Sequence, residues 1–225
     1  MTYILSIETA TPNCSIALHQ EGELIGELTI CKGQSHSSLL NEAIQKLCLL
    51  VGIDHKNLNA VAISKGPGSY TGLRIGTSTA KGLCYALDLP LISVNTLEAM
   101  AFGMINVNGW KLCPMLDARR MEVYYSIFSK EIEMIAPTSP VVLSTDTFSS
   151  SLVKNFPSKN STSFQTSRRK QNKHETIFVN NIFPRAANIG KLAFDKFQEK
   201  DFENTAYFEP YYLKDFMVTK PKSIL

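Results

Sequence analysis

The chain has 225 residues, of which 44% are hydrophobic and 19% charged, and its formal net charge is +3. Such a composition is that of an ordinary globular protein, one large domain or two small ones. It excludes a broadly basic nucleic-acid binder, and no apolar run reaches the roughly 18 residues that a membrane span requires.

In chain order, residues 4–7 (ILSI) read as a buried strand, 14–18 (CSIAL) as a second and 24–30 as a third with alternating faces. The turn Gln20-Glu21-Gly22-Glu23 makes the last two a hairpin. Between the first two lies Glu8-Thr9-Ala10-Thr11-Pro12-Asn13. A phosphate-binding turn needs several inward N–H groups. This run has a carboxylate but no glycine, and Pro12 removes one donor. Glu8 and Thr9 are therefore read as turn and cap residues in preference to magnesium ligands. The N-terminus lacks the basic region of a leader and runs straight into a strand pattern, so the expected location is the cytoplasm.

Residues 36–51 read as a helix, with Ser35 at its start and Gly52 at its end. Leu39, Leu40, Ala43, Ile44, Leu47, Cys48, Leu50 and Val51 cover more than half its circumference. So wide an apolar face predicts contact on two sides, one with the home sheet and one with a second domain or a partner. A strand at 61–63 then enters Lys65-Gly66-Pro67-Gly68-Ser69-Tyr70-Thr71-Gly72-Leu73-Arg74-Ile75-Gly76, which leads into a helix to about residue 87. The glycines permit a tight turn, and Ser69 or Thr71 can cap the helix. Neither GxxxxGK[ST] nor GxGxxG is present. Gly72, Gly76 and Ala80 recur every four residues and so share one helix face, which either meets the chain's own core or admits another helix.

Residues 91–94 form a further strand, and Asn95 caps a helix to about 104 with Glu98 three residues on. The turn at 106–109 is the expected boundary between subdomains 1–106 and 107–225. Beyond it, 111–116 and 122–129 read as a hairpin about Asp117-Ala118-Arg119-Arg120, in which Asp117 and Arg119 are expected to pair as ions. A strand at 140–143, a helix at 144–153, a strand at 177–179 and a helix after Pro184 complete the pattern. The segment 157–175 carries five basic residues against one acidic, leaving 18 basic and 19 acidic elsewhere. It reads as a solvated basic insertion. Five cysteines without CxxC spacing are expected to be reduced and buried. The four histidines, His19, His36, His55 and His174, form neither HxxxH nor HExxH, so no metal site and no cofactor is expected.

The run 66–76 resembles the signature of the bacterial TsaB (YeaZ) family, with Tyr70 where Phe is usual. His36-Ser37-Ser38-Leu39-Leu40, the run 117–124 (DARRMEVY) and Pro210-Tyr211-Tyr212-Leu213-Lys214 resemble further motifs of that family. The resemblance covers about residues 1–130 well and 205–215 weakly. It implies an α/β actin/hexokinase-like fold, with two related subdomains of which the second is reduced, and a C-terminal tail that returns to the first. It also implies a role in making threonylcarbamoyladenosine on tRNA, as a subunit beside the catalytic sister TsaD and the small ATPase TsaE. The catalytic sister carries two metal-binding histidines on the helix that here has His36 and, four residues on, Leu40.

From Trp110 onward Gly190 is the only glycine, which opposes a nucleotide-cradling second half. The resulting expectation is a non-enzymatic subunit that contacts tRNA only indirectly, pairs with itself when alone, and has no membrane association. Its expected partner face is His36, Leu39, Leu40, Ala43 and Leu47 of the first helix with Gly72, Leu73, Ile75, Gly76, Thr79 and Ala80 of the second. The alternatives are a glycoprotease-type metallopeptidase and an active small-molecule kinase or ATPase of the same fold.

Overall fold

The structure is a computed structural model that describes residues 1–31, 36–106, 111–143 and 179–213, with the backbone alone for residue 36. Nine strands are described: β1 Tyr3–Glu8, β2 Cys14–Gln20, β3 Glu23–Ile30, β4 Ala60–Gly66, β5 Leu91–Asn95, β6 Lys111–Leu112, β7 Met115–Asp117, β8 Glu122–Ser129 and β9 Met134–Val142. The α-helices are α1 His36–Val51, α2 Tyr70–Leu87, α3 Thr96–Phe102 and α4 Ala186–Glu199.

The first sheet has the order β3-β2-β1-β4-β5. β1, β2 and β3 run antiparallel, the last two through the hairpin read from the sequence, while β1, β4 and β5 are parallel. Both faces of this sheet are covered, which is why β1 and β4 read as continuous apolar runs. Alternation along β1 sends Leu5 and Ile7 into one core with Leu40, Ile44 and Leu47 of α1 and Ala80 and Cys84 of α2. It sends Ile4 to the other face, against Ile189 and Ala193 of α4. Three antiparallel strands followed by parallel ones, with helices on both faces, make this an α/β chain of the actin/hexokinase-like class.

The smaller sheet places β8 between β9 on one side and β6 and β7 on the other. It packs on α3, with Leu116, Tyr124 and Phe128 against Leu97, Met100 and Ala101. The strand expected at 140–143 is longer and begins at Met134. Pro137 and Pro140 interrupt its pattern in the sequence, yet β9 pairs with β8 alone among the described strands, and proline is tolerated on such an edge. Residues 107–109 of the expected turn, the expected helix at 144–153, the basic segment 157–175 and residues 177–178 of the last expected strand lie outside the described residues.

The β7–β8 turn corrects one expectation. Asp117 accepts a hydrogen bond from the backbone N–H of Arg119 at 2.7 Å; no ion pair with the Arg119 guanidinium forms among the described residues. Arg119, Arg120 and Met121 all have positive φ, at 63°, 55° and 59°. Left-handed backbone costs a non-glycine residue about 1 kcal/mol or more. Arg120→Gly is therefore expected to stabilise the chain by roughly 0.5–1 kcal/mol, a rise of a few degrees in Tm. An unchanged or lower melting point in that variant would contradict the strain.

The segment 203–213 closes over the first sheet. Glu203 bridges Leu91 at the β5 edge and accepts from the Ser93 hydroxyl. Lys81 of α2 donates to the carbonyls of Ala206 and Phe208 at 3.0 and 3.1 Å. Phe208 is buried in the α1–α2 core, and the Tyr211 N–H donates to the Lys65 carbonyl at 2.7 Å.

Candidate functional site

The sequence marks two places for function: the glycine turn before α2, and the faces of α1 and α2. At the turn, Gly66 adopts φ +109°, and the Tyr211 carbonyl lies 2.8 Å from where a Cβ would stand. Of the two candidate caps, Ser69 is the one used, its Oγ accepting from the Gly72 N–H at 3.3 Å. The Ser69 N–H itself donates to the Ala10 carbonyl at 2.7 Å. A Cβ on Gly68 would lie 2.5 Å from the Ala10 carbonyl oxygen. On Gly72 it would lie 2.1 Å from the Thr9 carbonyl oxygen, and on Gly76 2.2 Å from Thr9 Oγ1. The small-residue stripe of α2 thus seats the chain's own β1–β2 turn. That turn occupies the mouth of the helix start, where a phosphate would need free N–H groups.

Glu8 ends β1 in complete burial. Its Oε1 accepts from the Ala10 N–H, whereas Oε2 has no hydrogen-bond partner. Ser64 stands beside it at the end of β4, the strand parallel to β1. The Ser64 hydroxyl helps hold the carboxyl pKa down, but it forms no hydrogen bond of ordinary geometry. Burial dominates and raises the Glu8 pKa to about 7, against the opposing pull of the Ala10 N–H. Among the described residues no group of three or more His, Cys, Asp or Glu side chains is placed to hold a metal ion.

The residues expected at a partner face divide sharply. Leu40, Ala43 and Leu47 of α1 and Gly72, Leu73, Gly76 and Ala80 of α2 are buried within this chain. Leu39, Ile75 and Thr79 are half-buried, and Ile75 packs against the core. His36 opens α1, and its side chain lies outside the described residues. The apolar groups left at the surface are others: Leu49 and Leu50 at the end of α1, 81% and 75% exposed, and Tyr85 of α2, 90% exposed. An outward stripe of small residues, Ser78, Gly82 and Ala86, runs beside Tyr85. Gly82 has nothing within 4 Å of its Cβ position. The signal for this stripe was the same four-residue spacing, set two positions further along α2.

At the amino end of α2 the Arg74 guanidinium lies over the Tyr70 ring, 4.2 Å from its centroid. Tyr70 in turn contacts Tyr212 of the C-terminal segment at 5.0 Å between centroids. The cysteines correct a further expectation: Cys14, Cys48 and Cys84 are buried, but Cys31 is exposed and Cys113 half-buried. Burial pushes the thiols of Cys84 and Cys113 up to about 12, so neither is a nucleophile at neutral pH. No described helix is long and apolar enough to cross a membrane.

A family model described as "TsaD: tRNA N6-adenosine threonylcarbamoyltransferase" matches residues 31–224. The tRNA threonylcarbamoyladenosine biosynthesis protein TsaB of Escherichia coli (strain K12) is 36% identical over 129 residues, 57% of this chain and 55% of that protein. The protein of the same name from Bacillus subtilis (strain 168) is 34% identical over 143 residues, 62% of each chain. The matches thus span between half and two thirds of these curated relatives. Among solved structures, YeaZ from Pseudomonas aeruginosa superposes with a TM-score of 0.73 at 23% identity, covering 95% of this chain and 100% of that one. A second structure, described as an uncharacterized protein with similarity to peptidase YEAZ from Pseudomonas aeruginosa, gives 0.75 at 21% identity with the same coverage. These two likenesses establish the fold. The family match and the curated relatives together go further: this chain belongs to the family of that transferase model, among its TsaB (YeaZ) members.

Proposed function

We propose that the chain is a non-catalytic subunit in tRNA threonylcarbamoyladenosine biosynthesis. It docks on the catalytic subunit TsaD, with the ATPase TsaE completing the assembly, and it touches tRNA only indirectly. The names of its curated relatives supply the pathway. The observation that carries the non-catalytic reading is the hydrogen bond from the Ser69 N–H to the Ala10 carbonyl, made where Gly68, Gly72 and Gly76 admit the β1–β2 turn. The chain's own backbone stands at the helix start, in the place a nucleotide phosphate would take.

Docking uses the outward faces of α1 and α2: Leu49 and Leu50 on one helix and Tyr85, with the close-approach residue Gly82, on the other. Exposed tyrosine and leucine beside a position without a side chain suit a helix-on-helix contact. Leu39, Ile75 and Thr79 extend the same surface as half-buried flanks, and His36 opens the helix that carries it. In isolation the same surface pairs two copies of the chain. The reading includes two subdomains, 1–106 and 107–225, with α1 and α2 on the first, and a cytoplasmic setting.

Titrating purified chain against TsaD tests the docking. Wild type binds with stoichiometry, and Leu50→Glu combined with Tyr85→Asp weakens binding at least 100-fold with an unchanged thermal melt. Binding that survives the double substitution removes this face from the account. Calorimetry with magnesium-ATP on the isolated chain tests the other half. Micromolar affinity would replace the non-catalytic reading with the kinase or ATPase one, and a stoichiometric bound zinc would revive the metallopeptidase.

A further inference from the structure

α2 meets the rest of the chain along two flanks. On one, Ile75, Leu83 and Leu87 pack into the core that it shares with α1. On the other, three residues meet the C-terminal segment 203–213. Tyr70 contacts Tyr212, Arg74 Nε donates to the Tyr212 hydroxyl at 3.4 Å, and Lys81 Nζ donates to the carbonyls of Ala206 and Phe208. At about 100° per residue, Ser78, Gly82 and Tyr85 lie between the two flanks. The bare strip of α2 is thus bordered by α1 on one side and by the C-terminal segment on the other.

That second border carries an exposed tyrosine on a fixed turn. Asn204 Oδ1 accepts from the N–H groups of Ala206 and Tyr207, at 3.1 and 3.3 Å. The Asn204 carbonyl accepts from those of Tyr207 and Phe208, at 3.1 and 2.8 Å. Phe208 is buried in the α1–α2 core, and Lys81 binds the carbonyls on either side of Tyr207. The backbone of Tyr207 is therefore held from three directions, yet its side chain is 83% exposed. Among the described aromatic residues only Tyr85 is more exposed, and it follows Lys81 by one helical turn. An exposed tyrosine on a backbone already fixed is the composition of a binding anchor, because little ordering remains to be done on association.

We propose that Tyr207 is a further anchor of the docking face and that Lys81 is the positioning residue that sets it on the rim. This rests on the docking described above and takes the same occupant, TsaD. Both basic groups of this border are engaged within the chain, Lys81 by two carbonyls and Arg74 by Tyr70 and Tyr212. The rim therefore offers aromatic surface in preference to charge, and the patch of TsaD that meets it is apolar.

Titration of TsaD with wild type, Tyr207→Ala, Lys81→Met and the double variant tests the assignment. Tyr207→Ala is expected to weaken binding about tenfold or more with an unchanged thermal melt, since the ring stands in water. Lys81→Met should weaken binding too, and the double variant should bind no worse than Tyr207→Ala, because Lys81 acts through Tyr207. A Tyr207→Ala protein that binds TsaD as wild type does would overturn the anchor, and losses that add in the double variant would overturn the role of Lys81. Should Lys81→Met fold poorly, Tyr207→Ala decides alone. Failure of wild type itself to bind TsaD is a separate result, which removes the docking on which the anchor rests. Sedimentation of the same proteins covers the other occupant: self-pairing lost in Tyr207→Ala with TsaD binding intact would give the anchor to a second copy of the chain and overturn the proposal.

Discussion

Gly76→Leu is expected to lower the melting temperature of the isolated chain by roughly 10 °C or more. The first carbon of the new side chain would stand 2.2 Å from Thr9 Oγ1 and 3.0 Å from Ile63 Cδ1, and three further carbons have to follow it. Thr9 cannot yield easily. Its carbonyl already lies against Gly72, and the next residue, Ala10, is bonded to both Glu8 and Ser69. Overpacking a tight core typically costs about 1–3 kcal/mol, and with backbone in the path the cost belongs at or beyond the top of that range. Domains are stable by only about 5–15 kcal/mol, so such a loss removes much of the margin. Gly82→Leu is the matched control, the same change two positions beyond the inward stripe. Nothing lies within 4 Å of its Cβ position, and replacing a helical glycine gains up to about 1 kcal/mol of helix propensity. Its melt is expected at or above that of wild type. Circular dichroism melts of the two variants decide the matter, and a Gly76→Leu protein that melts like wild type would mean that α2 does not sit on the β1–β2 turn.

This pair of glycines also marks where the sequence stops being informative. The strand–turn–helix around residues 61–87, the Ser69 cap and the inward row of α1 are all written in local patterns: period two, a glycine turn, period 3.6. A stripe of small residues carries no such address. Four-residue spacing at Gly72, Gly76 and Ala80 is the same whether the visitor is another helix or the chain's own loop from 60 residues earlier, and only the tertiary structure names Thr9 as that visitor. The outward stripe at Ser78, Gly82 and Ala86 was equally visible, but Tyr85 and Leu49 beside it became significant only once the opposite faces were seen to be filled. The first part of β9, residues 134–139, escaped for a different reason. Pro137 and Pro140 break the alternating pattern, and the edge position that tolerates them is a property of the sheet, not of the segment. Glu8 read as a turn residue because its one visible bond is a local one; its burial arises from parallel pairing with β4 and from layers supplied by distant parts of the chain.

Burial of Glu8 fixes the direction in which stability changes with pH. Its folded pKa of about 7 lies above the ordinary value of 4.5, so between these limits the folded chain holds the proton more tightly than the unfolded one. The stability this contributes is complete below pH 4.5 and is lost as pH rises through 7. The size of the shift corresponds to about 3 kcal/mol across the whole window. His19 works in the opposite sense. It is buried, its ring donates to the Ala187 carbonyl through Nε2, and Nδ1 has no partner. Desolvation lowers its pKa below 6.5, so its contribution is present above that pH and is lost on acidification. Below pH 6.5 the two effects offset one another; above it Glu8 is joined by Glu98 and by the thiols of Cys14, Cys84 and Cys113, all raised by burial and so losing stability in the same direction as pH rises. The difference between wild type and Glu8→Gln in chemical denaturation at pH 6.5 and pH 8.5 therefore isolates the carboxyl. Wild type should lose more stability over this interval than Glu8→Gln, and the variant should be the more stable protein at pH 8.5 by up to about 3 kcal/mol. A wild type that is equally stable at both values would place the Glu8 titration below pH 6.5 and require water at Oε2.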